Sequence, residues 1–224
     1  MTAGATARIR CEGRLEGALR RTGYAAIAGV DEAGRGSLFG PVFAAAVIFP
    51  RGSRIRGLRD SKLLSSAHRE KLAAAIAGEA LACAVASADE REIDRLNIYQ
   101  ASRLAMQRAV GLLEPQPDFL LVDAMTLQLD LPQRSLIKGD ARVRAIAAAS
   151  ILAKVRRDEC MRAWDVVYPQ YGLARSKGYG TPEHLSALER CGPTAHHRFT
   201  FEPVRQWFAP AQMALSLIAE EAGR

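Results

Sequence analysis

The longest uninterrupted apolar run of the chain, from Val42 to Phe49, has only the length of a β-strand. A membrane-spanning helix needs about 18 to 20 such residues, so no segment predicts one. Four further runs of strand length are recognisable, at 25–30, 81–88, 119–122 and, more weakly, 135–137. Because segments with helical spacing of apolar residues alternate with these runs, the sequence predicts an α/β fold, a mixed sheet covered by helices.

The predicted helices follow from apolar spacing and from residues that start or stop helices. Ser65 or Ser66 can cap a helix that runs through Ile76, since a serine side chain accepts a hydrogen bond from the first backbone N–H groups. Proline and glycine end the helices that follow. Those helices are predicted at 97–113, 144–168, 182–190 and 211–221.

Charge and cysteine content suggest a partner and a compartment. The formal net charge is +7, and a basic surplus is typical of proteins that bind nucleic acid, although many basic proteins do not. The four cysteines have neither C-x-x-C nor zinc-finger spacing, which favours reduced thiols. Residues 1–24 contain no apolar core of a secretory signal. We therefore expect a cytoplasmic protein, with no membrane association, that acts as a monomer.

Carboxylates directly follow two of the predicted strands. Asp31 and Glu32 come after the run at 25–30, and Asp123 comes after the run at 119–122. Strand ends are where α/β sheets present chemistry, so these acids are expected to converge. Converging carboxylates repel each other unless a cation lies between them, and oxygen ligands select Mg²⁺ or Mn²⁺. Each acid taken alone could simply be a structural strand-end residue.

Two residues compete as the fourth acid of this cluster. Asp140 follows the weak fifth strand, whereas Asp158 lies on the long helix predicted at 144–168. For Asp158 we prefer an ion pair with Arg162, four residues later on a solvated helix face. Spacing alone leaves both acids open.

Other catalytic signatures are weak or missing in the sequence. The loop Gly34–Gly40 resembles a dinucleotide fingerprint, but its last glycine comes one residue late, and the two preceding acids would repel a pyrophosphate. The four histidines lack the H-E-x-x-H spacing of zinc proteases. A nucleotide cofactor and a zinc site are therefore not predicted.

Six motifs, in this order, resemble the signature of the ribonuclease HII family. They are Gly29–Gly36 (GVDEAGRG), Asp60–Lys62 (DSK), Lys138–Asp140 (KGD), Ala147–Val155 (AAASILAKV), Lys177–Thr181 (KGYGT) and Gly192–Arg198 (GPTAHHR). The resemblance covers residues 25–205, and the combination is far more specific than any single motif. It implies a ribonuclease H-like fold, with a five-stranded mixed sheet flanked by helices and a C-terminal helical portion.

The resemblance also implies site residues, a cofactor and a substrate. Its catalytic and metal-binding acids are Asp31, Glu32, Asp123 and Asp140, which selects Asp140 over Asp158, and the metal is Mg²⁺ or Mn²⁺. Its substrate-binding residues are Gly34, Arg35 and Gly36 at the 2′-hydroxyl, Tyr179 stacked on the neighbouring sugar, and Ser61 and Lys62 on phosphate. The substrates are an RNA–DNA hybrid and a DNA duplex that contains ribonucleotides. Without the resemblance, Tyr179 would be interpreted as a partly buried loop tyrosine, and Ser61 and Lys62 as a solvated turn.

Three positions depart from the family pattern, and two other functions stay open. Ser37 stands where proline is usual, Ala124 where glycine is frequent, and Phe39 is bulkier than usual. A junction resolvase of the same superfamily and a non-catalytic nucleic-acid-binding protein are the alternatives. We predict a lead-in at 1–24, a catalytic domain at 25–205 and a helical tail at 206–224.

Overall fold

The structure is a computed structural model that describes residues 13–58 and 64–207. Ser61, Lys62 and the helix predicted at 211–221 lie outside the described residues. Within the described parts of the chain, no helix is both long and apolar enough to cross a membrane.

Strands and helices alternate along most of the described chain. The strands are β1 (Ile27–Ala33), β2 (Val42–Ile48), β3 (Ala82–Ala88), β4 (Phe119–Asp123) and β5 (Gln133–Leu136). The helices are α1 (Arg14–Arg21), α2 (Ser66–Glu79), α3 (Glu90–Leu96), α4 (Ile98–Gly111), α5 (Arg144–Val167), α6 (Leu173–Ser176) and α7 (Pro182–Cys191). Short 3₁₀ turns occupy Gly139–Ala141, Pro169–Tyr171 and Val204–Trp207.

The five strands form one sheet in the order β3-β2-β1-β4-β5. Strands β1 and β2 pair antiparallel, as expected for a hairpin-like connection, whereas β4 pairs parallel to both β1 and β5. The prediction of a five-stranded mixed sheet flanked by helices is thereby confirmed.

Two details differ from the predicted elements. β1 does not end before Asp31 but continues to Ala33, because its antiparallel partner β2 still pairs with it there, at Asp31–Ala45 and Glu32–Ala44.

Helix α3 was not predicted. It is started by Asp89 and Glu92, whose side chains each bind the other residue's backbone N–H in a capping box, and Asn97 separates it from α4 with φ of 69°.

The chain divides into two compact units by internal contacts. Among the described residues, unit 1 comprises 13–33, 43–58, 64–87 and 102–156, and unit 2 comprises 34–42, 88–101 and 157–207. Each unit has its own apolar core.

The core of unit 1 lies between the sheet and the alanine-rich start of α5. Gly29 allows this close packing, because a Cβ at that position would lie 2.1 Å from the backbone carbonyl carbon of Ala145. Leu15 and Leu19 of α1 pack against the same core. The core of unit 2 is built around the fully buried Phe39, so the bulky residue at this position has a packing role.

Candidate active site

The sheet register brings Asp31 and Asp123 to neighbouring strands. The parallel pairing of β1 with β4 matches Val30 to Val122, and the two aspartates come one residue later on each strand. Adjacent strands lie about 4.8 Å apart, so the backbones that carry the two carboxylates are close. Glu32 follows Asp31 on β1 and is partly buried.

The carboxyl group of Asp31 is strongly perturbed by its surroundings. Its side chain is 5% exposed, and its carboxylate accepts a hydrogen bond from the Glu32 backbone N–H at 2.7 Å. Burial first, and then the negative charges of Glu32 and Asp123, raise the pKa of Asp31 well above its ordinary value. A hydrogen bond with Ser150 of α5 acts in the opposite direction. Three carboxylates therefore interact electrostatically at one end of β1 and β4.

Asp123 makes a hydrogen bond with the 3₁₀ turn that contains Asp140. The Asp123 carboxylate Oδ1 accepts a hydrogen bond of 2.6 Å from the backbone N–H of Gly139, the residue directly before Asp140. Asp140 lies in the 3₁₀ turn Gly139–Ala141 and is buried. Ala124, which follows Asp123, has φ of 49°. A glycine would adopt this left-handed conformation without the steric cost that alanine carries.

Asp158 is placed differently from its sequence-based interpretation. It is 1% exposed, so the solvated helix face predicted for it is wrong. Asp158 belongs to unit 2, whereas Asp31, Glu32, Asp123 and Asp140 all belong to unit 1. The four-residue spacing to Arg162 indicated one helix face, but Asp158 is buried whereas Arg162 is exposed.

The donor chemistry of the four acids fits a hard divalent metal. All of them offer carboxylate oxygens, the ligands that Mg²⁺ and Mn²⁺ prefer. Within the described residues, however, no group of three or more His, Cys, Asp or Glu side chains already has the geometry of a metal site. The register of β1 and β4 places the backbones of Asp31 and Asp123 on adjacent strands.

We expect Asp31→Asn to raise the denaturation midpoint of the metal-free protein at neutral pH. A carboxyl group whose pKa is higher in the folded than in the unfolded state disfavours folding once the pH exceeds its ordinary pKa, and the neutral amide removes that cost. The gain should disappear towards pH ~3, where Asp31 is protonated in both states. Thermal denaturation in a chelator measures it, with the exposed Asp130→Asn as the control. A lower midpoint for Asp31→Asn at neutral pH would contradict the electrostatic interpretation.

The glycine loop after β1 belongs to unit 2 and is built on a buried arginine. Gly34 has φ of 99°, and a Cβ there would lie 2.1 Å from the Nε atom of Arg157. The Arg157 guanidinium donates to the Ser37 hydroxyl at 2.6 Å and to the Lys177 carbonyl at 2.7 Å. The Ser37 hydroxyl thus accepts a hydrogen bond from Arg157 that a proline at this position, which has no polar side chain, could not accept.

A second buried arginine fastens the same loop. Arg198 donates to the carbonyl oxygens of Arg35 at 2.8 Å and of Gly40 at 2.9 Å. Burial, and then the charge of Arg157, lower the pKa of Arg198 to about 9. Neither arginine was predicted from the sequence to have a role, although Arg198 ends one of the six motifs and Arg157 follows another by two residues.

Tyr179 contacts this glycine loop within unit 2. Its ring is partly exposed, and the Arg157 guanidinium lies over it at 5.2 Å from the ring centroid. A Cβ on Gly36 would lie 3.9 Å from the ring, so the backbone of the loop runs beside the aromatic edge. The structure therefore brings together the predicted sugar-binding residues Gly34, Arg35, Gly36 and Tyr179.

Comparison with known proteins gives a consistent result. The family model described as ribonuclease HII matches residues 28–204. The ribonuclease HII of Solibacter usitatus is 61% identical over 198 residues, which cover 88% of this chain and 87% of that protein. The ribonuclease HII of Koribacter versatilis is 50% identical, with 96% of this chain and 84% of that protein covered.

Solved structures resemble the chain as well. Ribonuclease H2 from Pyrococcus horikoshii superposes with a TM-score of 0.70 at 26% identity, covering 81% of this chain and 96% of that one. A ribonuclease HIII solved in complex with Mn²⁺ gives a TM-score of 0.62 at 19% identity, covering 88% and 73%, and shows likeness of fold alone.

Proposed function

Since this chain belongs to the ribonuclease HII family, and is therefore a nuclease of the ribonuclease H class that acts on RNA–DNA hybrids, we propose its finer specificity. It hydrolyses the RNA strand of hybrids and also cuts at single ribonucleotides embedded in duplex DNA. The products carry a 3′-hydroxyl and a 5′-phosphate. The observation that carries this proposal is the pairing of β1 with β4, which places Asp31 and Asp123 on adjacent strands, one residue after the matched Val30 and Val122.

The four acids Asp31, Glu32, Asp123 and Asp140 are proposed as ligands of two Mg²⁺ or Mn²⁺ ions. Bound divalent ions supply an activated water and neutralise charge on the leaving oxygen. Asp31 is buried near the carboxylates of Glu32 and Asp123, so its ionised form is unfavourable without a cation. A bound divalent ion would stabilise that ionised form. The hydrogen bond from Gly139 to Asp123 and the one from Ser150 to Asp31 orient these side chains.

The glycine loop and Tyr179 are proposed to recognise the ribonucleotide. Glycines let the backbone of residues 34–36 approach a sugar closely, and the 2′-hydroxyl is the group that distinguishes RNA from DNA. The exposed part of the Tyr179 ring supplies a flat apolar surface for the adjacent sugar. Two fully buried arginines hold this loop in place. Arg198 donates to the carbonyl oxygen of Arg35 in the loop, and Arg157 donates to the carbonyl oxygen of Lys177, near Tyr179. Ser61 and Lys62 are proposed to hold a phosphate.

The decisive assay uses three substrates with and without Mg²⁺ or Mn²⁺. They are a DNA duplex with one ribonucleotide, a continuous RNA–DNA hybrid and a four-way DNA junction. We expect metal-dependent cleavage of the first two, with 5′-phosphate ends, and none of the junction. Cleavage of the junction alone would indicate a resolvase. Binding of all three without turnover would indicate a non-catalytic nucleic-acid-binding protein.

A further inference from the structure

Two buried histidines of unit 2 lie next to each other beneath the Tyr179 loop. His184 and His197 are both 0% exposed, and their Nε2 atoms are 3.1 Å apart. His184 is the third residue of α7, and His197 belongs to the segment that follows this helix. Neither histidine is among the proposed metal-binding or sugar-binding residues.

The hydrogen bonds around this pair allow only one arrangement of protons. The Thr194 backbone N–H can only donate, and it points at His197 Nδ1 at 2.9 Å, so that nitrogen carries no proton. Neutral His197 is therefore protonated at Nε2, which donates to Nε2 of His184. His184 must then carry its own proton on Nδ1, which lies 3.0 Å from the carbonyl oxygen of Tyr179. A carbonyl can only accept, so every link in the chain has a single direction.

Burial and charge support two neutral rings. Burial, and then the neighbouring His184, lower the pKa of His197 to about 3, and burial also lowers the pKa of His184. The backbone N–H groups at the start of α7 add to this effect, since a helix N-terminus disfavours positive charge. A charged ring at either position would also make two N–H donors face each other. In His197 the Nδ1–H would face the Thr194 N–H, and in His184 the Nε2–H would face the Nε2–H of His197.

We propose that the His197–His184 pair positions Tyr179 for ribose recognition. The Thr194 N–H fixes the tautomer of His197, His197 fixes the tautomer of His184, and His184 then donates a hydrogen bond to the Tyr179 carbonyl. This hydrogen bond holds the backbone of Tyr179, while the ring of Tyr179 stays accessible to the substrate. The carbonyl also accepts a hydrogen bond from the Thr181 backbone N–H at 2.7 Å, and Thr181 caps α7 through the backbone N–H of His184. The Tyr179 carbonyl is thus held by two donors, the Thr181 backbone N–H and the ring of His184, at the point where the loop meets the start of α7. This inference rests on the proposed role of Tyr179.

A pair of variants at one position separates positioning from packing. His184→Asn keeps an amide N–H near the place of Nδ1 and can still donate to the Tyr179 carbonyl. His184→Gln places its amide near Nε2, so it can still accept from His197 but no longer holds Tyr179. We expect His184→Gln to lower the rate on a single embedded ribonucleotide relative to a continuous hybrid by about three- to tenfold, the scale of one hydrogen bond. We expect His184→Asn to preserve that ratio.

The outcomes distinguish this inference from the proposed function. Tyr179→Ala is measured in parallel on both substrates. If it loses activity selectively and His184→Gln does not, the positioning role is overturned and ribose recognition by Tyr179 stands. If both histidine variants change the ratio equally, the pair is only structural. If Tyr179→Ala itself is not selective, the role of Tyr179 is wrong, and the inference falls with it.

A measurement on the unaltered protein covers the case in which the variants do not fold. Nitrogen-15 spectra of the imidazole rings at neutral pH report the tautomer of each histidine. We expect His197 as the Nε2–H form and His184 as the Nδ1–H form, which is the minor tautomer of a free histidine side chain. A charged ring, or a proton on Nε2 of His184, would overturn the proposal whatever the kinetics show.

Discussion

Asp123→Asn is expected to reduce cleavage of a duplex with one embedded ribonucleotide by about a thousandfold or more, with the protein still folded. Metal-ion catalysis is worth several kcal/mol, and each ~1.4 kcal/mol corresponds to a factor of ten. The variant removes a charged ligand but keeps an oxygen that can accept the hydrogen bond from Gly139. Initial rates in Mg²⁺ and circular dichroism measure the two effects.

Two companion variants make the Asp123 result specific. Asp130→Asn removes an exposed carboxylate of the same unit and should leave the rate unchanged. Asp123→Ala should lose activity to the same extent but also stability, because the Gly139 N–H then loses its acceptor. Full activity in Asp123→Asn would contradict the proposed role of this residue as a metal ligand.

Tyr179→Ala is expected to slow cleavage at a single embedded ribonucleotide by about ten- to a hundredfold, the scale of one stacking contact. The loss on a continuous hybrid should be smaller, because many equivalent registers are available there, whereas a single ribonucleotide offers one sugar. The substitution removes the ring that lies beside Gly36 and over Arg157, and it leaves the acids of unit 1 unchanged. Steady-state kinetics on both substrates give the ratio.

Tyr179→Phe is the matched control for this prediction. It keeps the aromatic ring and its contact with Arg157, so substrate discrimination should be retained. An equal loss of activity on both substrates in Tyr179→Ala would mean that the tyrosine positions the nucleic acid backbone in general or only supports its loop. Ribose recognition would then have to reside in residues 34–36 alone.

Most of the sheet was predictable because its signals are local. Short apolar runs ended by acids, glycine or proline predict strands whatever the rest of the chain does, and four of the five runs coincide closely with β1 to β4. Six motifs, from GVDEAGRG to GPTAHHR, indicated the family through their residues and their order. Asp31, Glu32 and Asp123 could be singled out because a charged residue directly after an apolar run is conspicuous in any sequence.

Features that depend on a distant partner were not predictable. β1 extends past Asp31 because β2 pairs with it there, and no pattern within 25–30 reports that pairing. Asp158 looked solvated because a four-residue spacing to Arg162 defines a helix face without saying what covers it. The pairing of Arg157 with Ser37 and Lys177 joins residues 120 and 20 positions apart.

By itself, the sequence determined the element types, the mixed sheet and the family, since these follow from local periodicity and from motifs read in order. Only the tertiary structure decided which charged side chains are buried and which nitrogen of each buried histidine carries the proton. The pKa of Asp31 is raised first by burial and then by the charges of Glu32 and of Asp123 on the neighbouring strand β4. His184 has one allowed tautomer because Thr194 and Tyr179 lie at opposite ends of the histidine pair. Burial and hydrogen-bond direction belong to neighbours in space, and the order of residues along the chain does not specify those neighbours.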